Sequence, residues 1–151
     1  MDHARPPYLE RLTVPLRWWV QATMMVASFW LALALALPDA GVKVSHGRPA
    51  FFTTTVFAYY GGSLKQGGEW VEHARCVLVL LDPGERASLV EEDRCFVPGY
   101  LGASGWLGVD LPARPSADAW TEVGELLEAS YRLTAGVRRV RRLDEEQAGP
   151  S

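Results

Sequence analysis

The densest group of side chains able to bind an anion lies near the carboxyl end of the chain. Four arginines fall within five consecutive positions: Arg138, Arg139, Arg141 and Arg142. In a helix, Arg138, Arg141 and Arg142 would share one face, because residues three and four apart are neighbours there. Guanidinium groups bind phosphate oxygens well. Asp144 and two glutamates follow as ion-pair partners, so the pattern indicates either a phosphate-binding face or a solvated terminal helix.

A second group combines a histidine, an arginine and aromatic side chains in the stretch SHGRPAFF. His46 and Arg48 could bind a ligand or an anion there, and His46 could equally be a loop histidine that bonds to the backbone. The stretch YLGASGW supplies further aromatic residues. These two stretches give five candidates for a protein- or small-ligand-binding pocket: His46, Arg48, Phe51, Tyr100 and Trp106.

Three other patterns favour structural roles. His73 and Cys76 lie three apart at the entry to a strand, where side chains alternate between faces, so we expect a surface histidine and a core cysteine. The glycine-rich GGSLKQGGEW lacks the Gly-Lys-Ser/Thr of a phosphate loop. Ser104 lies in a turn without the spacing of a nucleophile elbow. We therefore predict no enzyme activity, no catalytic residue, no metal and no cofactor.

The charge distribution limits the classes of partner. The formal net charge is −3. Residues 38–137 contain thirteen acidic and eight basic side chains, a local charge of −5. Such a body repels a polyanion, so DNA could bind only through a local group of cations. For that role we add Lys43 and Arg48 to the four arginines near the carboxyl end.

One long apolar segment stands apart from the rest. Trp18–Leu37 contains no charged residue over twenty positions, and a helix of about 20 residues spans the roughly 30 Å of a bilayer. We expect this segment to cross a membrane or, alternatively, to be an apolar helix buried in the domain or a dimer. Cys76 and Cys95 form no CxxC pair, which indicates a cytoplasmic-facing domain, either anchored once or soluble in the cytoplasm.

The periodicity of the remaining chain predicts an α+β domain. We expect strands at Val56–Tyr60, Cys76–Leu81 and Trp106–Leu111, with VKVSHGR and GGSLKQGG as loops. Asp82 should cap a helix that reaches about residue 94, and Asp118 should open a helix whose apolar residues recur at helical spacing. The predicted divisions are a polar segment, an apolar helix, a domain and a disordered tail: 1–17, 18–37, 38–143 and 144–151. The oligomeric state stays open.

Several stretches together resemble one family. These are ALALPDAG, SHGRPAFF, FAYYGGS, VLVLLDPGERASLVEEDRCFVPGYLGASGWLGVDL and ELLEASYRLTA, within residues 31–143. Their order resembles the MmcQ/YjbR family of small bacterial proteins, particularly an actinobacterial branch. The resemblance implies a two-layer α+β sandwich, with an antiparallel sheet packed by helices and related to the frataxin-like fold. It also implies DNA binding through a double-wing arrangement.

Two features depart from that family. Ala135 is followed by Gly136-Val137-Arg138-Arg139 where members usually have a Pro-Lys-Arg segment. The first helix carries Val26-Ala27-Ser28-Phe29-Trp30 where members have charged residues. Upstream, PYLERLTVPLRWWVQATMMVASFWLALALA is similar to the start of an actinobacterial membrane-protein family of unknown function. This second resemblance implies that a membrane segment leads into the domain.

Overall fold

A computed structural model describes residues 30–150 and shows one antiparallel sheet with helices packed on one of its faces. Residues 30–35 are helical and are called α1. The other elements follow in chain order: β1 (Gly41–Ser45), β2 (Arg48–Phe52), β3 (Val56–Gln66), β4 (Glu69–Leu80), α2 (Pro83–Leu89), β5 (Cys95–Phe96), a 3₁₀ helix (Leu101–Ser104), β6 (Trp106–Asp110), α3 (Ala117–Thr134) and α4 (Val137–Ala148). The α+β class and the antiparallel sheet packed by helices are as predicted.

The sheet contains six strands in the order β1-β2-β3-β4-β6-β5. Two hairpins dominate it, and both turn on two residues with positive φ. These are His46 and Gly47 between β1 and β2, and Gly67 and Gly68 between β3 and β4. Such turns match the right-handed twist of paired strands. The prediction of loops at VKVSHGR and GGSLKQGG is therefore wrong, because most of those residues belong to strands.

The main core lies between the sheet and its helices. Phe57 from β3 packs edge-on against Tyr131 of α3, with ring centroids 5.4 Å apart. The hydroxyl of Ser130, which is fully buried, donates a hydrogen bond to the carbonyl of Phe57 and accepts one at 2.9 Å from the amide of Leu80. One side chain of α3 thus joins the backbones of two neighbouring strands.

Helix α1 belongs to this core. Trp30 and Ala34 are fully buried, and the Trp30 ring lies 4.7 Å from that of Phe51. The Tyr131 hydroxyl donates to the carbonyl of Pro38 at 2.6 Å. Of the two roles predicted for the apolar segment, a membrane span or a helix packed in the domain, the second describes the contacts observed for residues 30–37. The rest of the predicted long apolar helix, residues 18–29, lies outside the described residues, as does the polar segment 1–17. Between residues 30 and 150, no helix has the length and apolarity needed to cross a bilayer.

Helices α2 and α3 each differ from the prediction at one boundary. Asp82 caps α2 as expected, since its carboxylate accepts hydrogen bonds from the amides of Gly84 and Glu85 at 3.0 and 3.1 Å, but α2 ends at Leu89 and not near residue 94. Helix α3 begins at Ala117, one residue before the predicted Asp118.

The predicted disordered tail, 144–151, is wrong for residues 144–148, which are helical in α4. Leu143 is buried, and the chain beyond it is fastened to α3 by polar contacts. Asp144 accepts a hydrogen bond from Arg132 at 2.7 Å, and the amide of Gln147 donates to Glu128 at 2.8 Å. These contacts hold residues 144–148 in the helix, where the sequence had predicted disorder.

Candidate functional site

The face of the sheet opposite α3 is covered only in part. Cys76, Leu78 and Trp106 form a small buried cluster there, and Tyr59 packs on Trp106 with ring centroids 5.3 Å apart. The chain between β5 and β6 passes over this face. It is held by the amide of Gly99, which donates to the carbonyl of Ser63 at 2.9 Å. We call this side of the sheet the open face.

A cavity of about 450 Å³ lies on the open face between the β1–β2 turn and residues 98–101. This volume is within the range of about 300–1,000 Å³ typical of small-molecule sites. Its lining combines polar groups from the hairpins with an apolar floor: Ser45, His46, Arg48, Tyr59, Gly61, Gly62, Ser63, Leu78, Pro98, Gly99, Tyr100 and Leu101. We call it the open-face pocket.

Two residues at the rim of the open-face pocket have backbone conformations that side chains disfavour. His46 has φ of +52°, and Tyr100 has φ of +63° with ψ of −55°. The amide of Leu101 donates to the carbonyl of Gly99 at 2.7 Å, which closes a γ-turn on Tyr100. γ-Turns of this positive-φ type are rare and strained. Strained positions cost about 1–3 kcal/mol each and cluster at functional sites.

An exposed aromatic pair stands at the same rim. The rings of Trp70 and Tyr100 stack with centroids 5.6 Å apart and an interplanar angle of 27°. Tyr100 is 88% exposed, an unusual position for a ring held in a strained turn. Gly99 makes room for the pair, because a Cβ atom at that position would lie 2.5 Å from Cζ3 of Trp70.

Arg48 supplies the positive charge of the open-face pocket. Its Nη2 donates to Oε1 of Glu72 at 3.0 Å, and its Nη1 lies 3.6 Å from the place where a Cβ on Gly61 would be. Gly61 has φ of +83°, so glycine there allows both the strand irregularity and the approach of the guanidinium. The Arg48 side chain is 26% exposed, against 73% for Glu72.

Three of the five predicted pocket residues come together, and two do not. His46, Arg48 and Tyr100 all line the open-face pocket. Phe51 is fully buried on the opposite face against Trp30. Its assignment to the pocket is corrected, because three positions of strand separate it from Arg48 and side chains alternate.

Trp106 lies beside the open-face pocket, not in its lining. It is 8% exposed and packs on Tyr59. Sequence reasoning missed the residues of the β3–β4 hairpin, above all Gly61, Trp70 and Glu72. The Gly61-Gly62 pair, placed inside an aromatic strand pattern, was the available signal, because glycine in a strand often marks a bulge or a close approach.

The arginines of α4 lie elsewhere, and three of them, Arg138, Arg139 and Arg142, line a second cavity of about 530 Å³ at the start of that helix. Asp39, which has φ of +60°, accepts hydrogen bonds there from Arg139 at 3.2 Å and Arg142 at 3.1 Å. Its carboxylate thus occupies the position that an anion would take between these two side chains. Arg138 and Arg141 are exposed.

The six cations predicted to contact DNA come from three elements, β1, β2 and α4. Arg139 also donates to the hydroxyl of Thr54, just beyond the end of β2, whereas Arg48 begins that strand. Four steps of strand, about 13 Å at 3.3 Å per residue, separate the two ends. Lys43 lies on neighbouring β1, where its ammonium is 4.8 Å from the centre of the Phe52 ring.

His73 and Cys76 have structural partners. Cys76 is buried as predicted, and burial raises the pKa of its thiol to about 12, so the thiol stays protonated near neutral pH. His73 was expected at the surface, but its ring stacks on Phe96 at 4.0 Å, and its Nδ1 hydrogen-bonds Asp110 at 2.7 Å. In the part of the chain that the structure describes, no group of three or more His, Cys, Asp or Glu side chains could hold a metal ion.

Comparisons with known proteins add a family and a distant structural neighbour. A protein-family model described as YjbR matches residues 35–133. A crystal structure of a protein from Pseudomonas syringae is 16% identical to this chain, covering 64% of this chain and 88% of its own, with a TM-score of 0.47. Among curated proteins, none matches the chain significantly.

Proposed function

This chain belongs to the YjbR family, and we propose that it reversibly binds a small ligand in the open-face pocket. The observation that carries this proposal is the strained turn at Tyr100 on the rim of a cavity that His46 and Arg48 also line. Backbone strain destabilises the folded state, so other contacts of the fold must offset it. Such strain is found most often at functional sites, where the strained conformation is needed.

The lining favours binding without turnover. A catalytic pocket needs an acid or base placed beside a nucleophile or an oxyanion site. The open-face pocket contributes one histidine, one arginine already paired with Glu72, and the hydroxyls of serine and tyrosine side chains. The nearest thiol, Cys76, is kept protonated by burial. We therefore propose a binding module and assign no catalytic residue.

The test is a ligand screen with two neighbouring substitutions. Ser45 lines the open-face pocket, whereas Val44 is 78% exposed and does not. Neighbouring residues in a strand point to opposite faces. We expect hits from a small-molecule screen, detected by NMR line broadening, to lose binding in Ser45→Phe and keep it in Val44→Phe. Two results would contradict the proposal: hits whose binding is unchanged in Ser45→Phe, or a screen of the folded full chain that gives no hit.

Weak nucleic-acid binding through α4 is a second candidate. It is favoured by Arg138 and Arg141, which are exposed and make no ion pair among residues 30–150. Binding should be independent of DNA sequence and should fall steeply between about 50 and 200 mM salt.

Fluorescence anisotropy with duplex DNA should show that the double substitution Arg138→Ala and Arg141→Ala removes binding. The control, Arg139→Ala with Arg142→Ala, should keep most of it, because Asp39 already occupies those two side chains. Binding unchanged by the first pair would exclude this site.

A membrane tether through Trp18–Leu37 is a separate proposal that rests on sequence, as does the actinobacterial branch of the family. One side of residues 30–37 already packs in or beside the domain core through Trp30, Leu33, Ala34 and Leu37. The tether would therefore have to use the twelve uncharged residues 18–29, fewer than the roughly 20 of a typical span. Ultracentrifugation of the full chain without detergent tests it: protein that stays in the supernatant would contradict a tether.

A further inference from the structure

We propose that the ligand of the open-face pocket is a planar ring that carries an anionic group, either a carboxylate or a phosphate. The inference rests on the proposed function and adds the chemical class of the ligand. Its two halves come from two separate features of the rim: the stacked aromatic pair and the Arg48–Glu72 contact.

The ring is inferred from Tyr100. This side chain is held in place by a strained turn and by its stack on Trp70, yet it is 88% exposed. The contact with Trp70, at 5.6 Å between ring centroids, leaves most of the Tyr100 ring exposed, so a further ring can stack on it. Offset stacking of aromatic groups is favourable and depends on a fixed platform. A platform that is already ordered loses little conformational entropy when a ligand binds.

The anion is inferred from how Arg48 is paired. Its contact with Glu72 is a single hydrogen bond at 3.0 Å to one carboxylate oxygen of a side chain that is 73% exposed. An exposed ion pair of this kind contributes little free energy. A guanidinium prefers to hold a carboxylate or phosphate through two parallel hydrogen bonds. An acidic ligand group can therefore displace Glu72 and gain the second bond, so Glu72 marks the position of the anion and competes with it.

The ring alone should give weak binding, and the anionic group should add to it. An isolated anion must displace Glu72 with help from one arginine, and an isolated ring gains only the stack. The first experiment is isothermal titration calorimetry of the full chain with four probes: 1-naphthoate, 1-naphthyl phosphate, 1-naphthalenemethanol and inorganic phosphate. We expect at least one naphthyl anion to bind about tenfold more tightly than the neutral alcohol, as expected for a charge-assisted hydrogen bond. Inorganic phosphate alone should not bind measurably. The two naphthyl anions distinguish a carboxylate site from a phosphate site.

Substitutions then separate the two halves. Arg48→Gln should abolish the preference for the anions and leave binding of the neutral alcohol. Glu72→Gln should increase affinity for the anions several-fold, because it removes the internal competitor. Glu69→Gln is the matched control, since it removes the same charge from an exposed position of β4 that makes no described contact with Arg48. Tyr100→Ala should weaken every ring-containing probe.

The outcomes distinguish this inference from the proposed function. Equal affinities for the naphthyl anions and the alcohol, or an anion preference that survives Arg48→Gln, would overturn the ligand class. Other screened compounds could bind and lose binding in Ser45→Phe while none of the four probes binds. That result would support the open-face pocket and contradict the proposed ligand class. If no compound or probe binds, both proposals fail. If Glu72→Gln and Glu69→Gln increase the affinity for the anions equally, the effect comes from net charge. That result would refute displacement of Glu72.

Discussion

The buried cluster on the helix-covered face of the sheet contains seventeen residues, whereas the cluster on the open face contains three, counted over residues 30–150. The first face therefore supplies most of the hydrophobic stabilisation, which grows with buried apolar area. The second face carries the strained turn at Tyr100, the exposed Trp70 and the cavity. Binding regions are generally drawn from the less stable parts of a structure. The difference indicates that one face maintains the fold and leaves the other free to bind.

The largest expected effect separates two aromatic residues of β3 that face opposite sides of the sheet. Phe57 is fully buried on the helix-covered face, whereas Tyr59 is half-buried on the open face. Phe57→Ala should lower the free energy of unfolding by about 3–5 kcal/mol. Tyr59→Ala should cost less than half as much. Urea denaturation measures both, and equal losses would remove the proposed division between the faces.

Ser130 tests whether the helix-covered face also depends on a buried polar bridge between two strands. Ser130→Ala leaves the carbonyl of Phe57 and the amide of Leu80 without that hydroxyl. We expect a loss of about 1–3 kcal/mol in the free energy of unfolding. Ser88→Ala is the control, because its hydroxyl makes one exposed bond within α2. A loss no larger than that of the control would show that the bridge contributes nothing.

Tyr100→Gly should separate binding from stability on the open face. Glycine adopts φ of +63° without strain, and the release of strain offsets the lost stack on Trp70. Thermal unfolding should therefore place the variant within about 1 kcal/mol of the wild type. Binding of ring-containing probes should nevertheless be lost. A variant that is strongly destabilised would mean that Tyr100 supports the fold.

The smallest effect is expected at an exposed ion pair between Arg94, just before β5, and Glu122 of α3. Hydrogen bonds from Arg94 lower the pKa of Glu122. A carboxyl group with a lowered native pKa stabilises the fold above its ordinary pKa and loses that contribution as the pH falls. Glu122→Gln should therefore cost about 0.5 kcal/mol near neutral pH, and the difference should shrink as the pH falls below the ordinary glutamate pKa of about 4.3 and vanish below the lowered native pKa. Urea midpoints across pH, with Glu125→Gln as control, measure it. A difference that grows in acid would contradict this assignment.

Sequence patterns predicted the parts of the fold in which apolar residues recur at a regular period. The strands around Val56 and Trp106, the cap at Asp82 and the apolar face of α3 follow from local rules. The hairpin beyond Gly61 was missed, because its strands extend past the core and carry polar residues. There the turn geometry of two glycines fixes the pairing, and apolar periodicity does not.

The candidate site was predicted only in part for a related reason. His46 and Arg48 lie close together in sequence around a turn, so their proximity is local. Tyr100 comes from a distant segment, and its neighbours Trp70 and Glu72 lie between the predicted loop GGSLKQGG and the strand predicted from Cys76, where no element was predicted. Strict alternation along β2 would have placed Phe51 away from Arg48. The pairing of Asp39 with two arginines of α4 spans about a hundred residues and depends on tertiary structure.

Gly99 couples the evolutionary histories of two distant positions. Every substitution at Gly99 adds at least a Cβ atom, which would meet the Trp70 ring at 2.5 Å. A lineage can therefore accept a larger residue at position 99 only if the side chain at position 70 shrinks or moves, and the Tyr100 stack would then be lost with it. Among relatives that keep an aromatic residue at position 70, position 99 should remain glycine. Where that aromatic residue is absent, both position 99 and the aromatic residue at position 100 should vary freely.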